Sequence, residues 1–305
     1  MNYCKFINII ILGLIIGFPL SAEENEYERR FPMEEKQRLL IDQGRLRLLT
    51  IGINFYPVTT KIRSYGGSEL IIRVDESSTF GKINPVEIKT DDKDGELHLI
   101  LGFKSSTVVG VRIGSLNIEI LVPSAWDGEL ELAELKSKTS IKDLHLLSLG
   151  GKTSITELSM ARCSFGNVDI ELGADTDLLM YSTDVGNCRI RGGLGKITGD
   201  NIEGTLDIQT FDGDISIDFS NFTGETSLVT KLGCIRASLP EGADADIDLL
   251  SRLSSAKCEI PLSVSEDLSD GRIRGSIGEP GSGNLLNLVS GDGDVIIVKS
   301  AGGTL

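Results

Sequence analysis

From Arg45 onward, apolar and polar residues alternate with a period of two. Leu46-Arg47-Leu48, Glu69-Leu70-Ile71-Ile72-Arg73-Val74, Glu96-Leu97-His98-Leu99-Ile100-Leu101 and Asn117-Ile118-Glu119-Ile120-Leu121-Val122 all read as strands. Gly66-Gly67, Asp94-Gly95 and Asp127-Gly128 punctuate them as turns. Upstream, residues 23–32 are acidic and polar and read as a mobile linker. Met33 to Gln43 reads as one short helix, with Glu34 and Arg38 at i, i+4 and Gly44 as its stop. The pattern predicts an all-β chain with that single helix.

The second half repeats itself. A small residue is followed by an apolar residue two and four positions on: Gly151-Lys-Thr-Ser-Ile155, Gly166-Asn-Val-Asp-Ile170, Gly186-Asn-Cys-Arg-Ile190, Gly213-Asp-Ile-Ser-Ile217, Ala256-Lys-Cys-Glu-Ile260 and Gly293-Asp-Val-Ile-Ile297. Gly233-Cys-Ile-Arg-Ala237 is a weaker copy, and the intervals run from 15 to 37 residues. If each copy is one rung of a coil, the small residue takes the corner, and the two apolar residues point to one face and stack on the next rung. The fold expected is a β-solenoid, parallel β-helix-like, over residues 45–305; an antiparallel sandwich with glycine turns is the alternative. A longer echo joins the halves: Ile118 to Leu132 aligns without gaps on Ile235 to Leu249, and Ile, Pro, Asp and the final Leu coincide. Pro123 and Pro240 end one strand; Asp127 and Asp244 cap the turn before the next.

The first 22 residues read as an address. Lys5 precedes an apolar run from Phe6 to Phe18, Pro19 breaks it, and Leu20-Ser21-Ala22 supplies small residues before Glu23. This is the layout of a secretory signal peptide, with cleavage expected after Ala22, which would leave residues 23–44 as linker and helix. The protein is expected to be exported to the periplasm, the outer surface or the medium. Contact with the membrane is expected through the N-terminal segment alone, if it stays uncleaved. Cys4 precedes the apolar run, so lipidation is not expected. The whole chain of 305 residues carries a net charge of -15, which repels nucleic-acid phosphates. Cys163, Cys188, Cys234 and Cys258 remain after cleavage; they read as free thiols, with disulfides the alternative in an exported chain.

Candidate chemistry is sparse. His98 and His145 are the only histidines, and both sit in alternating segments facing water with no nucleophile motif beside them. The cysteines lack Cys-x-x-Cys spacing. Asp91-Asp-Lys-Asp-Gly95, Asp212-Gly-Asp214 and Asp292-Gly-Asp294 could gather carboxylates around Ca²⁺, but Asp-Gly is also a common turn pair. Paired carboxylates could also serve glycoside hydrolysis, although one Trp and five Tyr leave few sugar-stacking platforms. No residue stands out as catalytic, cofactor-binding or metal-binding, and no cofactor is expected.

Leu239-Pro240-Glu-Gly-Ala-Asp244, Ser254-Ser-Ala-Lys-Cys258, Gly275-Ser-Ile-Gly-Glu-Pro-Gly281 and Leu286-Asn-Leu-Val-Ser-Gly-Asp-Gly-Asp-Val-Ile-Ile-Val298 together resemble the exported bacterial proteins known as putative adhesins, the DUF4097 type. Residues 235–298 carry most of the likeness; residues 45–234 follow it loosely. The resemblance implies a coil of short strands and no catalytic residues. The expected function is a non-enzymatic binding or structural module of the cell envelope, with a protein or glycan ligand and no nucleic-acid partner. The alternatives are a polysaccharide-processing β-helix enzyme and a self-assembling envelope scaffold, which an exposed apolar strand at Val295 to Val298 would support.

Overall fold

The computed structural model describes residues 23–46, 49–80, 85–104, 107–154, 156–268 and 271–300. The proposed signal peptide and Ile155 lie outside them. The described residues contain no helix, so none is long and apolar enough to cross a membrane. Strands run in chain order: β1 (Glu23–Pro32), β2 (Arg38–Arg45), β3 (Leu49–Phe55), β4 (Val58–Tyr65), β5 (Glu69–Phe80), β6 (Val86–Lys93), β7 (Glu96–Phe103), β8 (Thr107–Pro123), β9 (Glu129–Leu135), β10 (Lys138–Lys142), β11 (His145–Thr153) and β12 (Glu157–Ala161). They continue as β13 (Ser164–Glu171), β14 (Asp177–Arg191), β15 (Ile197–Thr210), β16 (Ile215–Asn221), β17 (Glu225–Thr230), β18 (Ile235–Leu239), β19 (Ala245–Ser251), β20 (Ala256–Cys258), β21 (Val264–Leu268), β22 (Arg272–Ile277), β23 (Leu285–Ser290) and β24 (Val295–Lys299).

The expected linker and helix are strands instead, and this is a correction. β1 pairs antiparallel with β5, and β2 lies between β7 and β9. The reason is local: Leu39, Ile41 and Gln43 alternate inward with a period of two, and all three are buried. Arg38 does not pair with Glu34 along a helix; it reaches across strands to Glu96 and Glu131.

The strands form two parallel ladders that face each other across one core. The first runs β6–β7–β2–β9–β11–β13–β14–β15–β17–β23–β19–β22–β21. The second runs β1–β5–β8–β4–β10–β12–β14–β15–β16–β18–β24–β20, with β3 alongside the first part of β8. β14 and β15 bend and serve both. In the middle of the coil, equivalent residues recur every 18 to 20 positions, as in Leu158, Leu178, Ile197, Ile215 and Ile235. Each of these side chains is buried against the next rung, and full burial of an Ile or Leu is worth about 1.5–3 kcal/mol. That column is the stacked apolar face expected of the solenoid.

Glycine is demanded where the chain turns from the first ladder to the second. Gly195, Gly213, Gly233 and Gly293 stack on one another, starting on Thr176. A Cβ on any of them would lie inside the carbonyl oxygen of the residue below. Buried hydroxyls three residues earlier in the chain stitch the same corner. Ser290 Oγ donates to Gly233 O at 2.8 Å and accepts from Gly293 N at 2.8 Å; Ser251 Oγ donates to Gly293 O at 2.9 Å. Ser290→Ala strands both Gly293 N and Gly233 O in the interior. It is expected to cost about 1–3 kcal/mol, read as a lower urea midpoint with an unchanged slope. At the position just before the first inward residue of the second-ladder strands, an aspartate on every other rung caps its neighbour: Asp177 accepts from Lys196 N at 2.8 Å, Asp214 from Cys234 N at 2.8 Å and Asp294 from Ser255 N at 3.2 Å.

These details correct the repeat in two places. Ser254, not Ala256, holds the corner position, because Ala256 pairs with Val295 as an inward residue. The Gly166 and Gly186 copies belong to β13 and β14 in the first ladder, at a different bend from Gly213, Gly233 and Gly293.

The rungs are not stacked in chain order at either end. β23 pairs with β17 on one side and β19 on the other; β24 pairs with β18 and β20. The rung made from residues 285–299 is therefore inserted between two earlier ones. At the other end, β2 and β4 are inserted between the rung of β7 and β8 and the rung of β9 and β10. The sequence echo marks both places. Ile118–Leu132 and Ile235–Leu249 each carry the chain from β8 to β9 or from β18 to β19, vaulting the inserted rung. Trp126 N donates to Pro123 O at 3.0 Å, as Ala243 N donates to Pro240 O at 3.3 Å. Adjacent strands lie about 4.8 Å apart, so each vault opens a slot one strand wide.

Antiparallel strands close the ends. β1, β5 and β6 cover one end, where Tyr27 Oη donates to Val86 O at 2.6 Å and Arg29 Nη1 to Ile88 O at 3.1 Å. β21 and β22 cover the first ladder at the other. Val295, Ile297 and Val298 are buried, and β24 is paired along both edges, which removes the exposed strand that stacking was expected to use.

Candidate binding surface

The outer face of the first ladder is flat and polar. Ser148, Asn167, Asn187 and Thr205 share one register across four rungs, because alternate residues of each strand point outward. Asn187 Nδ2 donates to Asn167 Oδ1 at 3.3 Å, and Thr205 Oγ1 donates to Gly186 O at 2.7 Å. Two residues further along, Asp169, Arg189, Asp207 and Ser227 form a second column. Arg191 Nη2 reaches Asp207 Oδ2 at 2.6 Å. Between the columns and Glu225 lies a shallow trough of about 810 Å³, floored by Val168, Cys188 and Leu206. Amide groups carry two donors and two acceptor sites each, so both Asn side chains keep hydrogen-bonding capacity for a ligand.

A second concavity, of about 720 Å³, follows the bend between the ladders through Gly95, Gln37, Gly128, Leu147 and Gly166. It gathers Lys36, Arg38, Asp94, Glu96, Asp127, Glu129 and His145. Its cations are already engaged, Lys36 with Asp92 and Arg38 with Glu96 and Glu131. Leu147 is 57% exposed in its floor. Trp126 is not a platform here: it is buried, and its Nε1 donates to Lys36 O at 2.6 Å.

The residues singled out in the sequence are dispersed. His145 is exposed at the bend; His98 points outward between buried Leu97 and Leu99 on β7, its side chain 34% exposed, with Nε2 itself covered and 3.9 Å from Asp42 Oδ2. Asp94 and Gly95 have φ of 46° and 83° and form a tight hairpin turn between β6 and β7. Asp214 and Asp294 each turn Oδ1 to the next rung. Among the described residues, no group of three or more His, Cys, Asp or Glu is placed to hold a metal ion. Cys163, Cys188, Cys234 and Cys258 are free thiols; burial pushes Cys188 up to about 12.

Several carboxylates on the outer faces sit below their ordinary range. Arg162 holds Asp143 low, Lys152 holds Glu171 low, and Ser254 with Ser255 hold Asp294 low. Arg272 holds Asp248 low through a two-pronged pair against partial burial, with Arg274 adding to it. A general acid for glycoside cleavage needs the opposite displacement. Because the folded value of Asp248 is depressed, its stabilisation is present above the unfolded value near pH 4 and is lost as pH falls through the folded value. The acid limb of the stability profile is expected to be shallower in Asp248→Asn, measured by urea unfolding between pH 6 and about 2.

The two ladders, the columns of small residues and the strand-Pro-turn-Asp-strand vaults invite comparison with known proteins. No curated protein matches the chain. A solved structure of a putative cell adhesion protein from Clostridium sporogenes is 13% identical and covers 91% of this chain and 100% of its own, with a TM-score of 0.28. A putative adhesin from Parabacteroides merdae is 12% identical and covers 90% of this chain and 97% of its own, with a TM-score of 0.46. The model of the family described as Toastrack DUF4097 matches residues 23–297, and the chain belongs to that family.

Proposed function

We propose that this protein is an exported, non-enzymatic adhesion module of the cell envelope that binds a protein or glycan along the outer face of its first ladder. The observation that carries this reading is the row Ser148–Asn167–Asn187–Thr205 beside Asp169–Arg189–Asp207. It offers donors and acceptors at regular spacing on a face that packing does not need. A flat face of this kind suits many weak polar contacts more than enclosure of a small molecule. The family membership and the apolar run at residues 6–18 support the same reading.

The test is to replace Asn167, Asn187 and Thr205 together by Lys and to measure retention of the protein on native cells or on arrayed glycans. Binding is expected to fall at least tenfold with the thermal midpoint unchanged; undiminished binding by a folded variant overturns the assignment of this face. Protease applied to intact cells is expected to cut the chain, and full protection would move the search to partners inside the envelope. The gathering of carboxylates along the bend favours a second reading as a polysaccharide-processing enzyme. Asp127→Asn with Glu129→Gln would then abolish a polysaccharide cleavage that the unchanged protein performs.

A further inference from the structure

The inserted rung at residues 285–299 occupies a slot whose existence does not depend on which chain fills it. The slot walls are β17 and β19 in the first ladder and β18 and β20 in the second. They are held apart by the vault at Pro240–Asp244, one strand too wide for direct pairing. An empty slot would leave parallel edges open on both sides and would expose Leu228, Ile235, Ala237 and Leu249, all buried when it is filled. Open edges with apolar surface beneath are a template for another strand. The best-fitting strand is the one with the matching sequence.

The connection into the slot is a single exposed loop, residues 278–284, which crosses the start of β19. Ile277 on β22 lies beside Ala245, and Leu285 on β23 lies beside Asp246 on the opposite side. The loop contains Gly278, Pro280, Gly281 and Gly283, and its three glycines have φ of 69°, 74° and 84°. Asp244 and Asn284 pin its two ends, through Glu279 N to Asp244 Oδ1 at 2.9 Å and Asn284 Nδ2 to Asp244 O at 2.9 Å. Gly281 and Gly283 have nothing near the position of a Cβ, and the middle of the loop is held only by long hydrogen bonds, Gly281 N to Asp246 Oδ1 at 3.5 Å and Ser282 Oγ to Asp244 O at 3.3 Å.

We propose that this rung is exchangeable: the slot accepts residues 285–299 of a second copy of the chain, and the two copies then form a strand-swapped dimer. Every pairing of β23 and β24 is reproduced in the swapped form, and the loop alone changes its path. Exchange of an identical element is a low-cost route to a dimer. The short tether gives the chain's own segment a high effective concentration, so the monomer prevails when folding occurs at dilution.

Ser227 and Asn287 stand directly opposite each other in the parallel register of β17 and β23, with Asn287 Nδ2 3.3 Å from Ser227 Oγ. Neighbouring Cα atoms across such a pair fall within disulfide range. The experiment mixes full-length Ser227→Cys protein with full-length Asn287→Cys protein, both carrying Cys234→Ser to remove the exposed thiol. The mixture is unfolded, then refolded at low and at high protein concentration under mild oxidation. Swapping predicts a disulfide joining the two different chains, at a yield that rises with refolding concentration. Removal of residues 278–283 leaves two peptide links, at most ~7 Å, to span two strand spacings of ~4.8 Å each, so the segment cannot turn back and a dimer is predicted even at dilution. A chain carrying both cysteines is expected to close on itself at dilution, which checks the register and the fold. The proposal is overturned if that chain closes while the mixed chains never join, if the shortened loop leaves a folded monomer, or if the doubly substituted chain does not close at all.

Discussion

Gly213→Val is expected to lower the thermal midpoint by about 6–12 °C, the equivalent of roughly 3 kcal/mol in a domain of this size. Gly213 sits in the middle of the column Gly195–Gly213–Gly233–Gly293, where the chain passes from one ladder to the other. A side chain there would meet the carbonyl oxygen of Gly195, with its carbonyl carbon 2.9 Å away. These are backbone atoms paired to the rungs on both sides, so no rotamer change relieves the overlap. The rung would have to lift from its neighbour, breaking the hydrogen bonds from Thr210 Oγ1 and Thr230 Oγ1 to Gly213 O, 3.0 and 3.2 Å long. Gly66 is the matched control: a Cβ added to it meets nothing within 4 Å, so Gly66→Val should change stability by less than about 0.5 kcal/mol. Circular dichroism melts of the two variants give the comparison. Equal midpoints would mean that the glycines do not stack.

Truncation after Gly278 is expected to have a larger effect. It removes Leu286, Leu288, Val295 and Ile297, none of which has measurable exposure. At about 1.5–3 kcal/mol each, their loss is of order 6–12 kcal/mol, comparable to the whole stability of an ordinary domain. A coil distributes stability between neighbouring rungs, so the damage should be local. Amide hydrogen exchange is expected to lose protection over residues 225–258 while residues 138–210 keep it. Uniform protection in the truncated chain would show that the last rung does not lie between the earlier ones.

Much of this architecture was legible in the residues. The period of two from Arg45, the small residue at the corner and the inward pair that follows, as in Gly213-Asp-Ile-Ser-Ile217, specify stacked rungs because few other arrangements bury such short strands. The Pro123 and Pro240 echo also pointed to one shared local structure. Three features escaped for physical reasons. The helix expected at Met33–Gln43 rested on one i, i+4 pair, whereas Leu39 and Ile41 obey the strand period and the neighbours that bury them, Leu97, Leu99, Leu130 and Leu132, lie ~60 to 90 residues away along the sequence. The order of the rungs escaped because a repeat records what each rung looks like and not which one it touches. Asn287 pairs with Ser227 and Asp248 although the three are far apart in the chain. The candidate surface was equally hidden, since Asn167, Asn187 and Thr205 become a row through register alone.

The central claim is that the rung of β23 and β24 lies between two rungs that precede it in sequence. Methyl nuclear Overhauser contacts in a sample labelled at Ala, Ile, Leu and Val methyls test it directly, because Ile235, Val295 and Ala256 follow one another in a single inward column. The account predicts strong contacts from Val295 to both Ile235 and Ala256, with none linking Ile235 to Ala256 at adjacent-rung strength. A strong Ile235–Ala256 contact, with Val295 beside only one of them, would contradict it.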